Sequence, residues 1–224
     1  MNKCIFIFFL CGILFLPGYV FAESGNCIEG DCRDGKGTFV WPDGKQYTGD
    51  WQNGKRSGEG TSTWPDGAHY KGGYLENKKQ GQGTFTWPDG AEYSGGFKDD
   101  QKNGQGTMST PDGMEYVGEW KEGMKNGQGT SVWPDGSRYT GSWLDDFPSG
   151  QGTFTSPHGE YVGEFKLGNP DGKGTFTWPD GRKYVGEFKE GALHGYGIET
   201  FPDGKKQEGY WQNDVYIGKE KPKE

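Results

Sequence analysis

A single period governs this chain. Gly-x-Gly begins at Gly35, Gly58, Gly81, Gly104, Gly127, Gly150, Gly172 and Gly195, always 23 residues apart except for one interval of 22. A unit that short cannot enclose a core of its own, so its copies must stack and bury their apolar faces against one another. The unit reads G-x-G-T-x-x-W-P-D-G-x-x-Y-x-G-x-W/F followed by six variable residues, and four of its glycine positions recur in all eight copies. Aliphatic residues are scarce after residue 22, which alone would suggest disorder. Nine Trp, 12 Tyr and 14 Phe among 43 Gly argue otherwise. Large rings lying over bare backbone supply apolar area of roughly 150–250 Å² each without an aliphatic core.

Each unit spells a hairpin. Gly37 to Trp41 is rich in β-branched and aromatic residues and reads as a strand. Pro42-Asp43-Gly44 is turn chemistry: Pro presets φ, Asp bonds back to the backbone, and Gly accepts the left-handed region. Gln46 to Trp51 forms the second strand, with Tyr47, Gly49 and Trp51 on one face. Gln52 to Ser57, with Asn53-Gly54, then turns the chain into the next unit. Glycine inside a strand signals close approach of something to the backbone, and the recurring rings are what approaches. One ladder is Tyr47, Tyr70, Tyr93, Tyr116, Tyr139, Tyr161 and Tyr184. Its companion is Trp51, Tyr74, Phe97, Trp120, Trp143, Phe165, Phe188 and Trp211. These fifteen rings are also the candidate binding surface.

No 3.6-residue apolar period exists in residues 35–217. Eight hairpins give about 16 strands, and at about 4.8 Å per strand the sheet would be on the order of 75 Å long. Strand twist coils such a sheet. The predicted fold is therefore all-β: an elongated, curved, single-layer antiparallel β-meander solenoid.

The pattern Tyr47-x-Gly49-x-Trp51-x-x-Gly54 followed by Gly58-x-Gly60, repeated in phase over residues 35–217, closely resembles the MORN (membrane occupation and recognition nexus) repeat. The resemblance implies an antiparallel β-meander and roles in protein scaffolding, self-association and membrane or phospholipid contact. Kinase activity found in some proteins with such repeats resides in a separate domain, for which this chain has no room.

The ends of the chain set its context. Lys3 is followed by the apolar run Ile5 to Leu16, then Pro17-Gly18 and Val20-Phe21-Ala22. This is the form of a secretory signal peptide over residues 1–22, since a membrane span needs about 20 apolar residues and Pro17-Gly18 interrupts the run. Residues 23–34 form a lead-in, 35–217 the repeats and 218–224 a charged tail. After cleavage two cysteines remain, Cys27 and Cys32, close enough to form a disulfide loop in an oxidising compartment. Periplasm or the extracellular space is the expected location, with peripheral membrane association as a further expectation.

Charge and side-chain inventory exclude several functions. Without Lys3 the chain carries one cation fewer than its 24 Lys+Arg, against 32 Asp+Glu, for a net charge of −9. Nucleic acid is excluded as a partner, because phosphate binding draws on clustered Lys and Arg. Asp43, Asp66, Asp89, Asp112, Asp135, Asp180 and Asp203 recur like a calcium ladder. One per hairpin spaces them about 10 Å apart, whereas a calcium ion holds its ligands at about 2.4 Å, so they read as turn residues. His69, His158 and His194 lie in different repeats without a nucleophile partner, and Gly-x-Gly-Thr lacks the ending of a phosphate loop. No metal, cofactor or catalytic residue is expected, and the chain reads as a non-enzyme.

Departures from the period carry information too. Repeat six is one residue short, at Ser156-Pro157-His158-Gly159, and follows Asp145-Asp146-Phe147-Pro148-Ser149. A change of curvature, with a hinge or partner notch, is expected over residues 145–161. Met108, Met114 and Met124 all fall in repeat four. Gln207 and Glu199 make repeat eight the polar cap that a solenoid needs. The leading functional reading is a scaffold that binds an unknown protein or its own copies. The alternative is a phospholipid-binding module that uses exposed rings, and a glycan surface comes third.

Overall fold

The computed structural model describes residues 25–221; the signal peptide expected over 1–22 and the last residues of the tail lie outside the described residues. The described chain is one open antiparallel sheet of 18 strands without a helix, a curved meander. Strand β1 (Asn26–Gly30) pairs with β2 (Gly35–Val40), β2 with β3 (Gln46–Gln52), β3 with β4 (Lys55–Thr63), and each later strand with its neighbours in sequence. The meander ends with β17 (Lys206–Gln212) on β18 (Val215–Gly218). The fold expected from the period is the fold observed, with one strand beyond each end of the sixteen.

Two turn types alternate. At Trp-Pro-Asp-Gly the Gly44 amide donates to the Trp41 carbonyl at 2.9 Å, and the Lys45 amide donates to Asp43 Oδ1 at 2.9 Å. Asp66, Asp89, Asp135, Asp180 and Asp203 accept in the same way. The aspartates are therefore turn residues in fact. The second turn lies at Asn53-Gly54, as expected, and is tight: φ is 51° and 72°, and β4 resumes immediately after it. Positive φ at both positions is the type I′ hairpin, whose twist matches the strands. Residue pairs such as Glu76-Asn77, Asp145-Asp146 and even Leu167-Gly168 adopt it.

These turns stack on one another. The amides of Arg56, Lys79, Lys125 and Leu193 donate to the side-chain oxygens of Asn77, Asp100, Asp146 and Asp214, 21 residues further on, at 2.8–2.9 Å. Backbone bonds from Asn77, Asp100, Asp146 and Asp214 back to the same four residues close each link at 3.0–3.1 Å. Repeats are thus joined at their turns as well as through the sheet.

The core is a single chain of rings. All fifteen ladder residues are buried, the tyrosines at 0–1% exposure and their companions at 4–7%. Tyr47 meets Trp51 and Tyr74 edge-on at 5.1 Å, Tyr70 meets Tyr74 and Phe97, and the zigzag runs unbroken to Tyr184 and Trp211 at 5.4 Å. Such contacts each contribute about 0.5–1.5 kcal/mol beyond area burial. The glycines explain how the rings fit. Gly49 and Gly60 pair directly across β3 and β4 against the Tyr47 side chain, so that a methyl on Gly60 would enter the ring and one on Gly49 would strike the Tyr47 hydroxyl and the Gly60 backbone. Next to that pair the register shifts between Gly49 and Trp51, and the Tyr47 hydroxyl donates to the Asp50 carbonyl within the irregular stretch at 2.9 Å. The bond satisfies a polar group that burial would otherwise penalise.

The short repeat leaves the sheet intact. Strands β12 (Phe147–Ser156) and β13 (Gly159–Lys166) close over Pro157-His158, with Ser156 opposite Gly159 and Gly152 opposite Gly163 as in the other hairpins. The missing residue is absorbed in the turn, and strand pairing is continuous across residues 145–161. At the first edge Cys27 and Cys32 form the expected disulfide. At the last edge Tyr216 packs on Trp211 at 5.4 Å, and the buried Glu199 carboxylate pairs with Arg182 at 3.4 Å.

Gly106, at ordinary negative φ under the Tyr93 ring, isolates the steric constraint. Gly106→Ala is expected to lower stability by about 1–3 kcal/mol through overpacking, read by denaturant unfolding. The exposed neighbour change Gln105→Ala is expected to stay within about 0.5 kcal/mol.

Candidate functional site

The fifteen ladder rings expected to form the binding surface form the core instead. The seven tyrosines lie against glycine pairs, their eight companions pack edge-on between them, and a second row of side chains packs on this core and offers its faces to solvent. It comes from the even-numbered strands. Phe39, Phe85, Phe154 and Phe176 stand half-buried above the ladder, and Trp41, Trp64, Trp87, Trp133 and Trp178 lean over them from the turns. Phe39 meets Trp41 at 4.7 Å, Phe85 meets Trp87 at 4.6 Å, and Phe176 meets Trp178 at 4.7 Å. The sequence carried the signal: within G-x-G-T-x-x-W the ring positions alternate with Thr onto the ladder face. They differ from the ladder because no glycine pair lies beneath them to let the ring sink.

A third row closes the face beside the I′ turns, and its chemistry changes along the sheet. The residue that pairs with the Trp or Phe ladder is Arg56, Lys79 and Lys102 in three successive repeats, then Pro148 and Pro170, then Leu193. Lys125 takes the same place between Lys102 and Pro148, opposite Trp120. The cations lie on rings. Arg56 sits 4.9 Å from the Tyr74 centroid, Lys79 4.6 Å from Phe85, and Lys102 3.7 Å from Trp120. Lys125 is 4.8 Å from both Tyr116 and Trp143. Ser replaces the second-row ring where it meets a polar neighbour: Ser62 bonds the Tyr74 hydroxyl at 2.7 Å, and Ser131 accepts from Lys125 at 3.3 Å.

Where proline replaces the cation, a cavity opens. Pro148, Pro170, Phe154, Phe176 and Trp133 line a space of about 390 Å³ over Tyr139, Tyr161, Phe165 and Phe188. It begins within the segment 145–161, where a partner notch was expected. The opening arises from the switch of side chain at position 148, not from the missing residue.

Burial sets the protonation behaviour of this face. Desolvation pushes Tyr93, Tyr139 and Tyr184 up to about 12 and raises Tyr47, Tyr70, Tyr116 and Tyr161 as well. Desolvation also lowers Lys79 and Lys125, and takes Lys102 down to about 8. Among the described residues no group of three or more His, Cys, Asp or Glu is placed to hold a metal ion.

Comparison with known proteins follows this geometry. The MORN repeat profile matches eight times, at residues 33–46, 47–69, 70–92, 93–115, 116–138, 139–160, 161–181 and 184–206. The chain belongs to the MORN repeat family. From the second match to the seventh, the profile opens at each ladder tyrosine in turn, so the family unit spans the I′ turn where the sequence reading placed its variable six residues. MORN repeats are generally non-enzymatic binding modules, which suggests a binding or scaffold role. No curated protein matches the MORN chain. Among solved structures it is similar to the TCP10 domain of Danio rerio CPAP, with 18% identity, a TM-score of 0.44, and 79% of this chain and 84% of that chain covered. The TCP10c domain of Drosophila melanogaster Sas-4 follows, at 11% identity and a TM-score of 0.38, covering 84% and 99%. Scores this low carry no argument about the MORN chain.

Two expected outcomes follow from the protonation behaviour. An unfolded Tyr loses its proton near pH 10, whereas a ladder Tyr holds it to about pH 12. The stability this contributes is complete below pH 10 and is lost as pH rises from 10 through 12. Ultraviolet titration of phenolate should therefore show the ladder ionising together with loss of the folded signal, above pH 10. For Lys102 the folded value lies below the unfolded one, so its charge opposes folding at neutral pH and ceases to do so as pH rises from about 8 to 10. Lys102→Met is expected to melt at the same temperature as the parent or higher, read by circular dichroism at pH 7.

Proposed function

We propose that this MORN chain is a non-catalytic scaffold of the cell envelope or extracellular space that holds another protein, or a second copy of itself, on its ring-bearing face. The observation that carries the reading is the second row of half-exposed rings. Phe and Trp stand in register over most of the sheet, supported from beneath by a core that keeps them rigid. Fixed aromatic side chains lose little entropy on binding and dominate protein interfaces. The opposite face offers Thr48, Thr84, Thr107 and Thr140 with exposed Val117, Val162 and Val185, a surface poorer in rings. Export is supported by the disulfide between Cys27 and Cys32, a bond that persists in oxidising compartments.

A photo-crosslinking residue placed in cells at Phe154, on the ring face, or at Thr130, on the other, tests the reading. A discrete protein adduct from position 154 and none from 130 is expected, in the exported fraction. Equal labelling from both faces, or adducts only with cytosolic proteins, would overturn it.

A further inference from the structure

The ring-bearing face is not uniform along its length. Over β6 (Lys78–Thr86), β8 (Gln101–Ser109) and β10 (Met124–Val132) its third row is Lys79, Lys102 and Lys125. Over β12 and β14 (Asn169–Thr177) the same row is Pro148 and Pro170, and the cavity of about 390 Å³ opens beside them. Among the described residues none of the three lysines has a carboxylate within ion-pairing distance, although ion pairs form elsewhere on the chain. Asp100 and Asp146, the nearest acids, accept from backbone amides at 2.8–2.9 Å. The ammonium groups lie over ring faces, with only Ser131 as a further partner for Lys125.

This arrangement is costly to the free protein. Half-burial disfavours the charge on each lysine, and ring faces offset only part of that cost. Proline and leucine occupy the same position in later repeats with the fold unchanged, so folding does not require the cations. A row of half-buried positive charges that form no ion pair, in a chain of net charge −8, is a local complement to anionic groups. Acids bound elsewhere on the chain meet like charge, so the row also fixes where an acidic segment sits.

We propose that the face takes an extended protein segment of split character, with an acidic half over Lys79, Lys102 and Lys125 and an apolar half over Pro148, Phe154, Pro170 and Phe176. From β6 to β14 the distance is on the order of 40 Å, which roughly a dozen extended residues span. The inference rests on the reading that this face binds protein, and it adds the chemistry and direction of the partner.

The test uses the intact protein and fluorescently labelled synthetic peptides of one composition, Glu, Ser, Leu and Thr. In two peptides Glu and Leu are segregated into halves, acid-first or acid-last; in a third they are interspersed. A fourth carries Lys in place of Glu. Anisotropy should show one segregated peptide binding at least about tenfold tighter than the interspersed one, a difference of about 1.4 kcal/mol, and no binding of the Lys peptide. The triple variant Lys79→Gln, Lys102→Gln, Lys125→Gln should weaken that peptide about tenfold and flatten its salt dependence. Phe154→Leu with Phe176→Leu should weaken it and leave the salt dependence intact. The Lys→Arg triple keeps charge and should keep binding, which separates loss of charge from loss of fold.

Equal binding of segregated and interspersed peptides would overturn the proposal, as would a Gln triple variant with unchanged affinity and salt dependence. If no peptide binds while position 154 still crosslinks to a protein, the split-charge inference fails and the protein-binding reading stands. If no peptide binds and the protein pellets with phosphatidylglycerol vesicles through the same lysines, the face belongs to lipid and the proposal fails.

Discussion

A tyrosine side chain packed against two glycines that face each other across paired strands is the contact on which everything else in this protein depends. The glycines remove the only atoms that would hold the ring away from the backbone, and the bulge beside them places a carbonyl within reach of its hydroxyl. The ring is thereby buried and its polar end satisfied in one stroke. Seven such tyrosines, alternating with Trp, Phe or Tyr from the same strands, form a continuous file of edge-on contacts. A single-layer sheet has no second sheet to pack against. Here the file of rings takes the place of that second layer, which is why so few aliphatic residues suffice.

The same arrangement fixes what is left for function. Because the ladder sinks to the backbone, a second row of rings can sit on top of it, half-exposed and held from below. Because each I′ turn carries the following strand back across the ladder, one further residue per repeat lies over the rings. That residue is free to vary, since its backbone is held by the turn of the next repeat. Arg56, Lys79, Lys102 and Lys125 use the freedom one way, Pro148 and Pro170 another. The variation therefore changes the chemical character of the face without a change of fold.

The legibility of the fold in the sequence was uneven for physical reasons. Strict spacing of Gly and aromatic residues disclosed the hairpins, the Asp turns and the stacking, because each depends on local chemistry that a residue type dictates. The I′ turns were partly legible: Asn53-Gly54 marks one, whereas Glu76-Asn77 and Leu167-Gly168 share no letter pattern and take a conformation imposed by the strands on either side. The rings taken as the candidate binding surface proved to be the core. Tyr47 and Phe39 both alternate onto the same face, and alternation reveals the face of a sheet but not the depth of a ring above it.

Depth is a property of what lies beneath. Tyr47 rests on Gly49 and Gly60, residues that belong to different strands and meet only when the register is set. The sequence by itself determined the all-β class, the number and stacking of repeats, the turn chemistry at Trp-Pro-Asp-Gly and the membership of the MORN family, because these follow from local periodicity. Only the tertiary structure decided which rings are core and which are surface, and that lysine in one repeat and proline in another occupy the same place over the ladder. Those facts depend on cross-strand neighbours, and a neighbour across a strand is fixed by register and bulge, not by distance along the chain.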